Sequence, residues 1–483
     1  MENQNQSPGG ELFAGNESRL AMSNSEAHSA GSMSSGAGHI PEMERGIDLK
    51  GAISTNLLNM IGIGPFITIP LILVAMGGPQ GMLGWILGAV ISLCDGMVWA
   101  ELGSAMPRSG GPYYYLREAF GSHRVGDMAG FLFLWQNMLI GPLSIASGAV
   151  GFALYARYLM PSLHGWQLPM LAALVCALNT VLLMRRIRSI NTLSIIITVC
   201  VIATTTWIVV SGAFHFHASM AFDFPANAFH LTRQFSMGLG AATLIAVYDY
   251  GGYKNICMIG DEVKNPRKTI PRSILISIVL VAIIYIAMNL AILSVVPWRE
   301  AAHSDAIVAL FISRLYGPVG ATISTVMILV ATFGSVFAIL LGSSRVPYVA
   351  AVDGQFFPIF AKLHPKQNYP VVAVVSMGAF SVLACVFSLT DLISMLIVVQ
   401  ILLQFLAQCV AVIVLRKRAI GGPEAFHMPF FPVPAIIALV GWFYIMANSG
   451  LRFIAIGLGL MIFGILAYLL RSYRGHTWPF ETA

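Results

Sequence analysis

Two long apolar segments of the sequence are each interrupted by residues that break a helix and expose polar groups. The first contains Ile61-Gly62-Ile63-Gly64-Pro65, in which proline removes a helical N–H donor and glycine tolerates irregular backbone. The second contains Tyr248-Asp249-Tyr250-Gly251-Gly252-Tyr253-Lys254-Asn255, a glycine pair between two ionisable side chains. Because free N–H groups attract a carboxylate and free carbonyls attract an ammonium, the two breaks together predict a site for a zwitterion or an amine. For the first break alone, a packed proline kink is the alternative.

The composition predicts that these segments lie in a lipid bilayer. Hydrophobic residues make up 57% of the 483 residues and charged residues only 10%, whereas a soluble domain has about 25% charged residues. Many apolar runs exceed the ~20 residues that a helix needs to cross the hydrocarbon layer. The sequence predicts an all-α integral membrane protein with twelve transmembrane helices, near 51–75, 79–104, 125–158, 166–184, 190–212, 234–260, 273–296, 319–350, 370–387, 389–415, 431–450 and 452–470.

The distribution of basic residues predicts the orientation of these helices. With both termini in the cytoplasm, 21 Lys and Arg residues lie inside and 5 outside, while Lys254 lies within a predicted span. Cytoplasmic loops of membrane proteins carry this excess. The net charge of +6 is thereby explained without a nucleic-acid partner, and we expect the protein in the plasma (cell inner) membrane. No apolar segment precedes Gly51, so a cleavable signal peptide is not expected.

The two breaks lie in the first and sixth predicted spans, which run in opposite directions. In lipid, a broken backbone is tolerated only where it lines a cavity or meets a ligand. A pair of interrupted helices at corresponding positions of two halves indicates an inverted repeat with a binding site near the midplane. The sequence thus favours a secondary transporter.

Three longer motifs follow the second, sixth and eighth predicted spans. The first is Ala100-Glu101-Leu102-Gly103 followed by the segment 107–121, which begins Pro-Arg-Ser-Gly-Gly-Pro-Tyr-Tyr-Tyr. The second is the segment 261–272, Asp-Glu-Val-Lys-Asn-Pro-Arg-Lys-Thr-Ile-Pro-Arg. The third is Ser344-Arg345-Val346-Pro347-Tyr348 with Asp353-Gly354 and His364-Pro365. These motifs resemble those of the amino acid–polyamine–organocation superfamily, from about residue 51 to 418. Within it, Tyr250-Gly251-Gly252 and Trp135-Gln136-Asn137 are most similar to the L-type amino-acid transporter branch and its bacterial relatives.

The resemblance implies the leucine-transporter-type fold. It assigns a transporter core to 46–418, whose two inverted five-helix repeats cover 51–212 and 234–415. Before the core, the polar composition of 1–45, without an apolar period, predicts a disordered cytoplasmic tail. Two further helices and a short cytoplasmic tail then occupy 419–483. The function implied is transport or exchange of amino acids, or of polyamines and other amines, by alternating access.

The resemblance also implies which residues bind substrate. The first break would hold the substrate carboxylate, and the break of the sixth helix would hold its amino group. Gln136 in the third helix, beside Asn137, is expected to face the bundle because it is costly in lipid. The substrate-binding residues carried over to this chain are Gly62, Ile63, Gly64, Tyr248, Asp249, Tyr250, Gly251 and Gly252. Ile61 and Gln136 are predicted to bind substrate with them.

Three departures from the family pattern bear on mechanism. The first break has Ile63 where the family commonly has serine, which removes a hydroxyl near the substrate carboxylate. The fifth helix has no lysine to stand in for a sodium ion, so a proton, a sodium ion or neither is left open as the coupling partner. Thr332 and Ser335 are weak candidate sodium ligands. The loop 160–165 lacks a cysteine, so no disulfide-linked glycoprotein partner is expected.

Asp249 and Lys254 allow two interpretations. The carboxylate could bind a cationic substrate or titrate during transport, or it could simply pair with Lys254. Lys254 could instead pair with Glu262. The proposed gating residues are Tyr248, Tyr253, Lys254, Glu101, Glu262 and Arg345, for which solvated charges or core aromatic rings are the alternative.

Other classes of protein fit the sequence less well. No HExxH or GxSxG motif and no His cluster occurs in the predicted spans, so we expect neither an enzyme, nor a metal site, nor a cofactor. The six cysteines are scattered through apolar runs and are expected to be packed thiols. A transporter-like sensor that binds amino acid without moving it stays open.

Overall fold

The computed structural model describes residues 45–62, 64–108, 110–121, 124–184, 190–365, 369–476 and 478–480, of which 190–198 are described by their backbone alone. Almost all of the predicted N-terminal tail lies outside these ranges, as does Ile63. Within them the chain is helical and forms no β-strand. The helices are α1 (Leu49–Met60), α2 (Gly64–Met76), α3 (Met82–Ala105), α4 (Pro112–Phe120), α5 (Val125–Leu159), α6 (Gln167–Met184), α7 (Ile190–Phe214), α8 (Ala218–Ala221), α9 (Arg233–Tyr250), α10 (Pro266–Leu293), α11 (Trp298–Ala301), α12 (Ile307–Val352), α13 (Val371–Ala384), α14 (Leu389–Gln400), α15 (Leu406–Lys417), α16 (Val433–Asn448) and α17 (Leu451–Gly475).

The described helices confirm an all-helical membrane architecture at a coarse level. Seven helical segments are long and apolar enough to cross a membrane, or eight if the bent pair α1 and α2 forms one span. Three shorter apolar helices lie at Val199–Phe214, Val371–Ala384 and Val433–Asn448. The predicted count of twelve would require these helices and α9 to span as well, so twelve stays a prediction.

Small residues hold α3 closely against α9. A Cβ atom added to Gly84 would lie 2.7 Å from the Cβ atom of Ala242, and one added to Gly88 would lie 3.0 Å from that of Ala246. Glycines four residues apart let two helix backbones approach in this way. Gly84 and Gly88 therefore serve helix packing.

Several helix boundaries differ from the sequence prediction. α10 begins at Pro266, seven residues before the predicted start at 273. Proline at the first helical position already has a helical φ angle, so the helix begins there although its first turn is basic and not apolar. α12 begins at Ile307, twelve residues before the predicted start at 319, and contains a non-helical residue at Gly317, whose φ is 73°. The apolar pattern missed this first part because Arg314 interrupts it.

A short π-helical segment, Ile401–Phe405, separates α14 from α15 within the predicted tenth helix. The predicted span 389–415 agrees with the combined length of these helices, but its apolar pattern gave no sign of the wider turn. Such segments are rare and often lie at functional sites.

Loops that contain the sequence motifs pack against the ends of the two broken helices. Ahead of α1, the N–H of Ile47 donates to the carbonyl oxygen of Glu262 at 3.0 Å, and the N–H of Lys264 donates back to that of Ile47 at 2.8 Å. The N–H of Gly110, which has a φ of 85°, donates to the carbonyl oxygen of Met258 at 2.9 Å. The motif loops therefore connect the segments on which the breaks lie.

Candidate functional site

The first predicted break lies between α1 and α2. α1 ends at Met60, α2 begins at Gly64, and the two helices are bent by 49°. The first-turn N–H groups of a helix such as α2 have no partner within it and carry partial positive charge. The predicted interruption of the first helix is confirmed.

The second predicted break follows α9. The α-helix ends at Tyr250 and the chain continues as a 3₁₀-helix over Gly251–Met258. A Cβ atom added to Gly252 would lie 2.6 Å from the carbonyl oxygen of Asn59, so glycine is needed there for the 3₁₀ segment to approach α1. This second interruption is also confirmed.

Asp249 joins the two breaks. Its Oδ2 accepts a hydrogen bond from Thr68 Oγ1 in α2 at 2.6 Å. Its Oδ1 overlaps the position that a Cβ atom on Gly64 would take, and its Cγ lies 2.9 Å from that position. Asp249 is only 3% exposed. The site therefore contains a buried carboxylate in contact with the start of α2.

Tyrosine hydroxyls fix the backbone and one wall of the site. Tyr285 in α10 donates to the carbonyl oxygens of Met60 and Asp249, at 2.6 and 3.3 Å. Tyr248 shares a hydrogen bond of 2.9 Å with Ser147 in α5. By contrast, the fully buried ring of Tyr250 packs edge-on to Trp85. Both Tyr248 and Tyr250 were predicted to bind substrate. The hydroxyl of Tyr248 lies beside the break, whereas Tyr250 is an aromatic residue of the core.

Lys254 does not pair with Asp249 or with Glu262. Its ammonium donates to Gln400 Oε1 at 2.7 Å and lies 4.2 Å from the ring centroid of Phe405. Glu262 is half-buried at the end of a second, short 3₁₀ turn, Gly260–Glu262. The pairing considered in the sequence analysis is therefore absent, because the lysine extends toward the tenth predicted helix.

The second buried carboxylate near the sixth helix is Asp95 in α3. It accepts hydrogen bonds from Tyr253 Oη at 2.5 Å and from Trp442 Nε1 at 3.1 Å. The predicted gating residue Tyr253 is thus a buried link between the 3₁₀ segment and α3. Sequence reasoning overlooked Asp95, although an aspartate in an apolar run is a signal that could have identified it.

Gln136 belongs to a separate polar cluster. It is fully buried, so the prediction that it faces the bundle is confirmed. Its Nε2 donates to Gln404 Oε1 in the π-helical segment at 2.7 Å, and among the described residues no hydrogen bond connects it to either break. Its role in substrate binding stays a prediction.

The charged residues proposed for an inner gate do not form one network. Glu101 accepts hydrogen bonds from the N–H of Met428 at 2.7 Å and from Arg416 at 3.4 Å, beside a cavity of about 280 Å³. Arg345 is exposed and forms no ion pair with Glu101 or Glu262 among the described residues. The partner of Glu101 is in the last turn of α15, which packs against α3.

Sequence reasoning missed four residues of the site: Thr68, Ser147, Tyr285 and Gln400. Each lies in an apolar helix far along the chain from the residue it bonds. Hydroxyl and amide groups within predicted spans were the available signal, since they are costly in contact with lipid.

Comparison with known proteins places this arrangement in a family. Residues 51–468 match the family model for amino acid permeases. The serine/threonine exchanger SteT of Bacillus subtilis is 27% identical over 84% of this chain and 91% of its own length. The large neutral amino acids transporter small subunit 2 of Rattus norvegicus is 30% identical over 92% of this chain and 83% of its own. The human cystine/glutamate transporter is 28% identical over 89% and 85%.

The match to the family model covers both breaks, the three sequence motifs and almost the whole described helical bundle. All three relatives carry the names of transporters or exchangers, and none that of an enzyme. The chain belongs to the amino acid permease family of the amino acid–polyamine–organocation superfamily.

Proposed function

We propose that this chain is a secondary transporter or exchanger that moves amino acids across the membrane by alternating access. The substrate is held between the α1–α2 break and the break after α9. One observation carries the proposal: the two interrupted helices, remote in sequence, touch each other through Gly64, Thr68 and Asp249. Irregular backbone of this kind is expected only where it serves a cavity or a ligand.

The contacts between helices support the proposed repeat of two inverted five-helix units. Helices that the repeat would make equivalent pack against one another: α3 against α10, α5 against α12, and α6 against α13. α1 and α2 likewise pack against the 3₁₀ segment and α9. A pseudo-twofold axis through the site would produce these pairings. The proposal includes the twelve helices, both termini in the cytoplasm and a place in the plasma (cell inner) membrane.

The names of the relatives support amino acids as the substrates. They include serine and threonine, large neutral amino acids, and cystine with glutamate. Two of the three names describe exchange or a pair of substrates. We propose exchange as the mode of transport, without assigning a proton or a sodium ion as coupling partner.

Counterflow in proteoliposomes tests the proposal. Vesicles containing the purified chain are loaded with unlabelled serine, leucine or lysine, and labelled amino acid is added outside. We expect transient accumulation of label in loaded vesicles and little in empty ones. Gly64→Val should abolish it, because the side chain would collide with Asp249, whereas Gly342→Ala, whose new methyl group meets no other atom within 4 Å, should retain it.

The same preparation distinguishes a sensor from a transporter. A ligand that binds the folded chain raises its melting temperature by mass action. A rise in melting temperature without counterflow would favour an amino-acid sensor, and the absence of both effects across the panel would refute the proposal.

A further inference from the structure

The buried carboxylate of Asp249 has one oxygen with a partner and one without. Oδ2 accepts from Thr68 Oγ1 at 2.6 Å, whereas Oδ1 is buried and accepts no hydrogen bond from the residues that the structure describes. Asp249 is only 3% exposed, and a buried polar atom without a hydrogen bond lowers the stability of the folded protein unless a ligand binds to it. The free oxygen is therefore the acceptor that the site leaves open.

The hydrogen-bond donors near Asp249 are already bonded to other groups. The hydroxyl of Tyr285 donates to backbone carbonyls, and that of Tyr248 is shared with Ser147. Lys254 donates to Gln400, and no basic side chain of the described residues lies within ion-pair distance of Asp249. The described part of the chain thus provides no counter-ion for this carboxylate.

The position of Asp249 also affects the carboxylate of a substrate. Its Oδ1 touches Gly64, the first residue of α2, which is a thirteen-residue helix. The N-terminus of a helix favours an anion, and here the chain itself supplies one. A zwitterionic substrate would bring a second carboxylate to the same place, so a substrate with an additional positive charge, or with no carboxylate, is complementary to the site.

We propose that Asp249 is the specificity-determining residue of this transporter and that it receives an alkylammonium group, which makes the site selective for substrates with net positive charge. Basic amino acids and amines without a carboxylate share this chemistry. The inference rests on the proposed function, because it assigns a substrate class to the same site. An inorganic cation is less well matched, since sodium or calcium requires several oxygen ligands, and among the described residues the only side-chain partner of Asp249 is the Thr68 hydroxyl.

A pair of substrates that differ by one ammonium group tests the inference directly. Lysine has a side-chain ammonium group that norleucine lacks, and cadaverine provides an amine without a carboxylate. Binding is measured by thermal shift and transport by competition with labelled lysine, in choline buffer and in sodium buffer. The unmodified protein should bind lysine at least about tenfold more tightly than norleucine, since a buried charge contact is worth that much or more.

Variants then locate the charge that is responsible. Asp249→Asn keeps the shape of the side chain and its contact with Thr68. It should weaken the binding of lysine and of cadaverine at least about tenfold and change the binding of norleucine little. Asp95→Asn is the matched control, because it removes the other buried carboxylate near the sixth helix. The ratio of lysine to norleucine affinity should be unchanged in that variant.

The outcomes separate this inference from the function on which it rests. Equal affinity for lysine and norleucine in the unmodified protein would overturn it without any variant, while transport of both would leave the proposed function intact. Tighter lysine binding that persists in a well-folded Asp249→Asn protein would also overturn it, as would thermal stabilisation by sodium that requires Asp249. Binding of cadaverine with no binding of any amino acid would support the ammonium subsite and refute amino acids as the substrates.

Discussion

The contact between Gly64 and Asp249 leads to a quantitative prediction for Gly64→Ala. The added methyl group would overlap Asp249 Oδ1 and lie 2.9 Å from Cγ and 3.5 Å from Cε1 of Tyr248. Ordinary carbon contacts begin near 3.5 Å. Asp249 must therefore rotate away from α2, which also breaks its hydrogen bond to Thr68.

The magnitude follows from three opposing effects. Replacing glycine by alanine in a helix stabilises it by about 0.5–1 kcal/mol. Overpacking costs about 1–3 kcal/mol, and loss of a hydrogen bond to a charged group costs about 1.5–3 kcal/mol. The net result is a loss of roughly 2–5 kcal/mol in the free energy of unfolding. Gly342→Ala in α12 has open space around the new methyl group and should be neutral or slightly stabilising.

A double-mutant cycle measures whether this contact is responsible. Melting temperature and counterflow are recorded for Gly64→Ala, Asp249→Ala and the combined variant. Because Asp249→Ala removes the colliding carboxylate, the double variant should lose less stability than the sum of the single variants, by about 1 kcal/mol or more. Wild-type melting and uptake in Gly64→Ala would show that Asp249 is not held against Gly64, and additive effects would show that the two residues do not touch.

Three further predictions address orientation and packing. Cysteines introduced at Lys264 and Lys362 should resist an impermeant thiol reagent in intact cells while one at Arg299 reacts, as the 21-to-5 charge distribution requires; the opposite labelling would invert the topology. Gln136→Leu and Gln404→Leu should each lower the free energy of unfolding by about 1–3 kcal/mol, because each leaves the other buried amide unpaired. The double variant should lose less than the sum of the two single losses, and equal melting temperatures of all three variants and the wild type would contradict the pairing. The thiols of Cys176 and Cys385 lie 3.6 Å apart, so mild oxidation of membranes with copper phenanthroline should cross-link α6 to α13; peptide mapping that finds no cross-link, with Cys385→Ser as control, would refute that proximity.

The helical class and the two breaks could be predicted from the sequence because both depend on local properties. Glycine and proline at 62–65 and the glycine pair at 251–252 break a helix whatever surrounds them. The lengths of the apolar runs likewise predict the lengths of the membrane-spanning helices. The resemblance to the family could be recognised because each of its motifs is contiguous in sequence. The length of α10 was underestimated because a basic first turn can be helical without being apolar.

The partners of the charged residues could not be predicted, because they depend on which helix faces come together. Lys254 bonds to Gln400, 146 residues away, and not to the nearby Asp249. Glu101 pairs with Arg416, 315 residues away, and not with Glu262 or Arg345. An apolar pattern gives the length of a helix but little about its rotation when all of its faces are apolar, so hydrogen-bond partners across the bundle stay undetermined.

The position of Lys254 has a consequence for the electrical behaviour of the protein. Its ammonium lies over Phe405, in the middle of the apolar segment Leu389–Lys417, and thus within the region across which a membrane potential falls. Moving one elementary charge through the whole of a 100 mV potential changes its energy by about 2.3 kcal/mol. Suppose that a conformational change moves the 3₁₀ segment, with Lys254 protonated, through a tenth of that potential. The free-energy difference between the two conformations would then depend on voltage by about 0.2 kcal/mol per 100 mV. Exchange of two substrates of equal charge would then show a weak dependence on voltage that arises from the protein and not from the substrates.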